Sequence, residues 1–168
     1  MNKNGKKKYF IFDLDETLYK YTDSYTVVNI IDKSLFRKLS SQGNIIIFSN
    51  ATYSHCSYWC DILDIKQYIN TILSCDIIKE VKPNPLSYKK AIKLLGIKKD
   101  ESVYFFDDQS INLYTPSKDY NWNTILINKS YKIIKNIPTD YINAKYDNIN
   151  EALNDYINGY IKCKITSN

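Results

Sequence analysis

Four short apolar runs with no polar alternation most constrain this chain: Tyr9-Phe10-Ile11-Phe12, NIIIF at 44–48, SVYFF at 102–106 and NTILI at 123–127. A strand with one wet face alternates apolar and polar residues. These runs do not, so both of their faces must be covered. The segments between them have helical spacing instead. Ile30, Ile31, Leu35, Phe36 and Leu39 recur at that spacing within residues 29–41, and Gly43 stops the run. Residues 52–63 and 148–158 suit helices. Residues 85–95 form another, with Pro85 in its first turn and Gly96 at its end. A further short strand is expected over residues 71–75. Strands alternating with helices in 168 residues predict an α/β fold. It has a mostly parallel sheet with helices on both faces, as a single domain over residues 1–168 with residues 1–7 as a flexible basic tail.

In such a sheet, functional residues collect at the carboxyl ends of the strands. Three places qualify: Asp13 and Asp15, Ser49 and Asn50, and Asp107 and Asp108. Two carboxylates about 4 Å apart repel by roughly 4 kcal/mol at an effective dielectric of about 20, so a positive partner is needed. Mg²⁺ fits, because it takes oxygen ligands and works with one or two carboxylates plus a substrate phosphate. Cys56 and Cys60 share a helix face, but zinc would need two more ligands, with His55 and Cys75 the obvious ones.

Charge and composition narrow the partners. The net charge is +5, yet Arg37 is the only arginine, and Asn, Lys, Ile and Tyr are abundant, as an AT-rich genome would give. Nucleic acid is a less favoured partner without arginine forks, although lysine can still attract phosphate nonspecifically. Lys6-Lys7-Lys8 reads as a solvated terminus. No stretch approaches the ~20 apolar residues of a membrane span. The apolar run after the basic N-terminus is too short for a signal-peptide core, and the four cysteines lack disulfide-framework spacing. A cytoplasmic, reducing location is the expectation. The sixteen tyrosines read as mostly composition and surface.

In order along the chain, FDLDET, FSNA, VKPNP and FFDDQ resemble the four motifs of the haloacid dehalogenase (HAD) superfamily, over residues 9 to 128. The resemblance implies a HAD-like Rossmannoid fold and a Mg²⁺-dependent phosphatase working through an aspartyl-phosphate. It implies Asp13 as nucleophile and Asp15 as the acid and base that also offers its carbonyl to the metal. Within the superfamily, an Asp at that second position marks phosphatases and phosphotransferases. Ser49 and the Asn50 main chain would hold phosphoryl oxygens, and Lys82 would neutralise charge. Asp108 would ligate the metal with Asp107 behind it, and Thr17 would fix the loop after Asp15. Lys82 is preferred to Lys79 because a proline follows it.

Finer likenesses point in two directions. The stretches FSNATYSHCSYWCDILDI, KPNPLSYKKAIKLLGI and FFDDQSIN, including Asn112, resemble nucleotidase-like HAD enzymes, although Gln109 stands where Ser is usual. Asn50-Ala51 followed by His55 also occurs in pyrimidine nucleotidases of the superfamily; the alternative is an ordinary helix residue near a polar site. Tyr19 is placed to flank a substrate. DLDETL also resembles capless phosphatases of the RNA-polymerase-tail type, whose fourth motif has Asp-Asn. Only residues 18–28 are left over between the first two motifs, and 51–81 holds one helix and one strand. No substantial cap domain is therefore expected, and a second copy of the chain could supply a lid. The substrate would be a nucleoside monophosphate or another small phosphate. The alternatives are a macromolecular phosphate and a non-catalytic HAD-like binding module.

Overall fold

The structure, a computed structural model, describes residues 6–28, 30–128 and 139–161. Of the expected tail, residues 1–5 lie outside the described residues; Lys6 pairs with Asp100 at 3.3 Å. The first half runs β1 (Lys8–Phe12), β2 (Lys20–Tyr21), β3 (Val27–Val28), α1 (Lys33–Ser40), β4 (Asn44–Phe48), α2 (Tyr53–Ile62), β5 (Thr71–Leu73) and α3 (Cys75–Ile78). The second half runs α4 (Pro85–Leu95), β6 (Ser102–Asp107), α5 (Ser110–Tyr120), β7 (Asn123–Ile127), β8 (Ala144–Tyr146) and α6 (Ile149–Ile157). The main sheet has the order β5-β4-β1-β6-β7-β8, and every pairing in it is parallel.

Two apolar layers explain the missing polar alternation. Phe10, Phe12, Ile45, Ile47, Tyr104 and Phe106 point to the layer built with Leu35, Phe36 and Leu39 of α1 and Leu153 of α6. Their neighbours Ile11, Ile46, Phe48 and Phe105 point to the opposite layer, with Tyr88 and Ala91 of α4 and Leu113 of α5. The central strands β1, β4, β6 and β7 thus bury both faces, at roughly 1.5–3 kcal/mol for each large side chain removed from water.

Several local expectations shift. The first helix starts at Lys33, because the Asp32 side chain accepts the Ser34 N–H at 2.8 Å and caps it. Ile31 is buried all the same, while Ile30 is half exposed. The expected strand at 71–75 ends at Leu73, and Cys75 opens α3. Among the described residues, six tyrosines (9, 19, 88, 104, 141 and 156) are buried rather than on the surface. Their rings fill the layers, and Tyr88 donates its hydroxyl to the Asn112 carbonyl at 2.8 Å. Gly43 does more than stop a helix. A Cβ there would sit 2.5 Å from the Lys8 carbonyl oxygen, so only glycine lets the chain enter β4 so close beside β1. Residues 18–28 hold the small antiparallel β2–β3 ribbon, and no large cap appears among the described residues.

Candidate active site

β1 is flanked by β4 and β6, with Phe12 level with Ile47 and Phe106. One residue further, Asp13 leaves the sheet beside Asp107, and its N–H makes one last rung to the Phe106 carbonyl at 2.9 Å. Ser49 follows β4 directly. The sheet order therefore gathers all three strand-end motifs, as their distance in sequence does not.

Lys82 arrives from the segment between α3 and α4. Its Nζ donates to Asp13 Oδ1 at 2.8 Å and to Asp107 Oδ2 at 2.7 Å, and its side chain is 1% exposed. The ammonium also lies 5.2 Å from the Phe48 ring centre and 5.4 Å from that of Phe105. Burial alone would lower the Lys82 pKa. The Asp107 and Asp13 carboxylates outweigh it and hold the ammonium protonated above the usual lysine range. Lys79, by contrast, is exposed.

Burial pushes Asp13 up to about 7, with Lys82 opposing that rise and Asp107 adding to it. Burial, and then Asp107, push Asp108 up to about 6. Oxygens of Asp13, Asp107 and Asp108 all lie within 4.8 Å of one another. An all-oxygen, buried, strongly acidic donor set of this size suits a hard divalent cation such as Mg²⁺. Asp107 is already committed. It accepts from Lys82, from both approaches of the Asn112 amide (3.0 and 3.1 Å) and from the Gln109 N–H at 2.9 Å. Among the described residues, Asp13 accepts only from Lys82 and Thr17, and the one side-chain donor to Asp108 is Gln109, so these two carboxylates keep more lone pairs for a metal than Asp107 does. Gln109 Nε2 orients Asp108 through Oδ2 at 2.7 Å.

Asp15 stands apart from this cluster. Its Oδ1 accepts from His55 Nε2 at 2.7 Å and from the Tyr19 hydroxyl. Tyr19 is fully buried and stacks on Trp59, with ring centres 4.0 Å apart. Tyr19, expected beside the substrate, is covered by Trp59 and meets the site through its hydroxyl on Asp15. Thr17, also buried, donates to Asp13 Oδ2 at 3.2 Å. It therefore ties the loop back to Asp13 itself.

Ser49 is buried, and its Oγ accepts the Ala51 N–H at 3.0 Å. The Asn50 side chain has a task that the sequence did not signal. Its Oδ1 accepts the Lys82 N–H at 2.8 Å and its Nδ2 donates to the Lys82 carbonyl at 2.9 Å. This pair locks the backbone that carries Lys82 to the loop after β4. Cys56 and Cys60 are packed in the α1-side layer, where burial pushes their thiols up to about 11 and about 12.

Comparison with known proteins agrees with the fold. The haloacid dehalogenase-like hydrolase family profile matches residues 32–114. A dehalogenase structure is 21% identical with a TM-score of 0.59, over 76% of this chain and 55% of its own. A Thermotoga maritima protein assigned as a beta-phosphoglucomutase is 14% identical with a TM-score of 0.68, over 90% of this chain and 99% of its own. A HAD-superfamily hydrolase of subfamily IA from Geobacter sulfurreducens PCA is 11% identical with a TM-score of 0.62, over 88% of this chain and 98% of its own. The chain spans about half the length of the first dehalogenase and phosphatase structures it matches. No curated protein matches it in sequence.

Proposed function

The chain belongs to the haloacid dehalogenase superfamily, and on that premise we propose that it is a Mg²⁺-dependent phosphomonoester hydrolase working through a phosphorylated Asp13. The superfamily holds both phosphatases and dehalogenases, and the two differ in what leaves. A halide departs without a proton, whereas an alkoxide needs one. The observation that carries the reading is the second carboxylate, Asp15, held by Tyr19 and His55 two residues beyond Asp13.

In this reading an Asp13 oxygen attacks phosphorus as the ester P–O bond breaks, and Asp15 delivers its proton to the leaving oxygen. Water then attacks the aspartyl-phosphate. Asp15 takes the proton of that water, phosphate departs and the Asp13 carboxylate is restored. Lys82 neutralises Asp13 and the phosphoryl oxygens, while Ser49 Oγ and the Asn50 N–H orient those oxygens. Mg²⁺, held by Asp13, Asp108 and the Asp15 carbonyl, would supply the remaining positive charge at the phosphoryl group.

The substrate class we favour is a small phosphate such as a nucleoside monophosphate. The absence of a large cap over the described residues supports a second reading, a phosphate on a protein or nucleic-acid end. No helix among the described residues is long and apolar enough to cross a membrane, and we read the enzyme as working in a reducing cytoplasm. Turnover of p-nitrophenyl phosphate by the wild type, lost in Asp13→Asn and in chelator, is the expected result. Full activity in Asp13→Asn would sink the mechanism. Mg²⁺ binding without turnover of nucleotides, phosphopeptides or end-phosphorylated oligonucleotides would leave a binding module instead.

A further inference from the structure

We propose that His55 is a positioning residue for Asp15, sharing that task with Tyr19 and selecting which carboxylate oxygen handles the proton. The inference rests on the phosphomonoesterase reading and deepens it.

Both donors fall on one atom. His55 Nε2 lies 2.7 Å from Asp15 Oδ1, and the Tyr19 hydroxyl meets the same oxygen. The phenol has one O–H to give, and the hydrogen bond to Asp15 Oδ1 uses it. With Oδ1 saturated by donors, a proton on Asp15 sits on Oδ2. The same contacts fix the rotation of the carboxyl group, which a proton transfer within hydrogen-bond reach requires.

The two donors come from separate elements that brace each other. Tyr19 closes the loop after β1, and His55 lies in the first turn of α2. Thr52 Oγ1 accepts the His55 N–H at 3.4 Å and caps that turn. Trp59, one turn further along α2, stacks on Tyr19 and lies 6.5 Å from the His55 ring. A shift of the loop relative to α2 would therefore break the stack as well as both hydrogen bonds.

Exposure gives the direction of the substrate. The Lys82 and Asp13 side chains are 1% and 12% exposed, whereas Asp15 and His55 are each 38% exposed. A phosphoryl group on the floor beside Asp13 therefore sends its leaving group outward past Asp15 and His55. In the first half-reaction the proton passes from Asp15 Oδ2 to the ester oxygen while its bond to phosphorus breaks and the Asp13–phosphorus bond forms.

Leaving-group dependence tests this. Glycerol 2-phosphate expels an alkoxide that needs the proton, while p-nitrophenyl phosphate expels a stable phenolate that hardly does. His55→Ala should lose about 10–100-fold in kcat/KM on glycerol 2-phosphate, a fraction of the 10²–10⁴ typical of acid–base catalysis, and less than about threefold on the aryl ester. His55→Gln, which keeps an N–H donor at similar reach, should recover most of the alkyl loss. Melting curves identify any variant that fails to fold, and Tyr19→Phe then serves as the second probe, with the same split expected. Equal losses on both esters, an unchanged rate on glycerol 2-phosphate or no rescue by glutamine would overturn the inference while leaving the phosphatase reading intact. A wild type inactive on both esters would overturn both.

Discussion

Replacing Lys82 with methionine removes the ammonium shared by Asp13 and Asp107 while keeping an unbranched stem between the Phe48 and Phe105 rings. At about 2.8 Å each ion pair is worth about 6 kcal/mol of attraction at an effective dielectric of about 20, most of it offset by desolvation. Removing one partner of a buried pair costs roughly 3–5 kcal/mol, because the orphaned charges stay buried. That cost depends on pH. Without Lys82, the folded-state pKa of Asp13 rises further above the ~3.9 of an unfolded Asp. For an acid raised in this way, stability is fully present below the unfolded value and is lost as pH rises through the folded one. Wild-type Asp13 already stands at about 7, so the variant loses stability across and above neutrality. Urea denaturation in chelator should show a deficit of about 3–5 kcal/mol near pH 8 that is smaller by about 1 kcal/mol near pH 5, because the two proteins differ in Asp13 ionisation only above about pH 7 and one pH unit is worth about 1.4 kcal/mol. A deficit of the same size at both pH values would refute the reasoning, since it would come from packing rather than charge.

Three further outcomes follow from the same geometry. In chelator, the wild-type melting temperature should fall from about pH 5 to about pH 8, because the raised pKa values of Asp13 and Asp108 leave buried charge as they ionise. Added Mg²⁺ should restore more stability at the higher pH, and a rise in chelator would contradict this. Asp108→Asn should weaken Mg²⁺ binding by more than the ~10–100-fold typical of losing an outer contact, as read by calorimetry. Gly43→Ala should cost about 1–3 kcal/mol in urea, because the new Cβ meets the Lys8 carbonyl at 2.5 Å.

The central strands were legible because burial on both faces leaves an unbroken apolar signature, and the three strand-end motifs followed from the sheet rule. β8 was not legible. It is three half-buried or exposed residues at a sheet edge, with no apolar run to announce it. The extent of α5 was hidden for a different reason: its buried side includes Asn112, Thr115, Pro116 and Ser117 as well as Leu113, so no apolar stripe marks it. At the site, residue types were readable but their contacts were not. Nothing local says that the Asn50 amide reaches the Lys82 backbone, because |i−j| is 32 and the pairing exists only once β4 and the segment before α4 are side by side. Tyr19 stood out as a neighbour of the first motif, yet its burial depends on Trp59, forty residues away.

The floor of the site holds three carboxylates, Asp13, Asp107 and Asp108, against one ammonium, Lys82. Its formal charge is therefore that of an acid trap, not of an anion receptor. A phosphate dianion approaching this floor alone meets repulsion, and a bound divalent cation cancels the net negative charge. Order of addition is thus built into the charge inventory: cation first, ester second, with chelated protein expected to bind no inorganic phosphate at all.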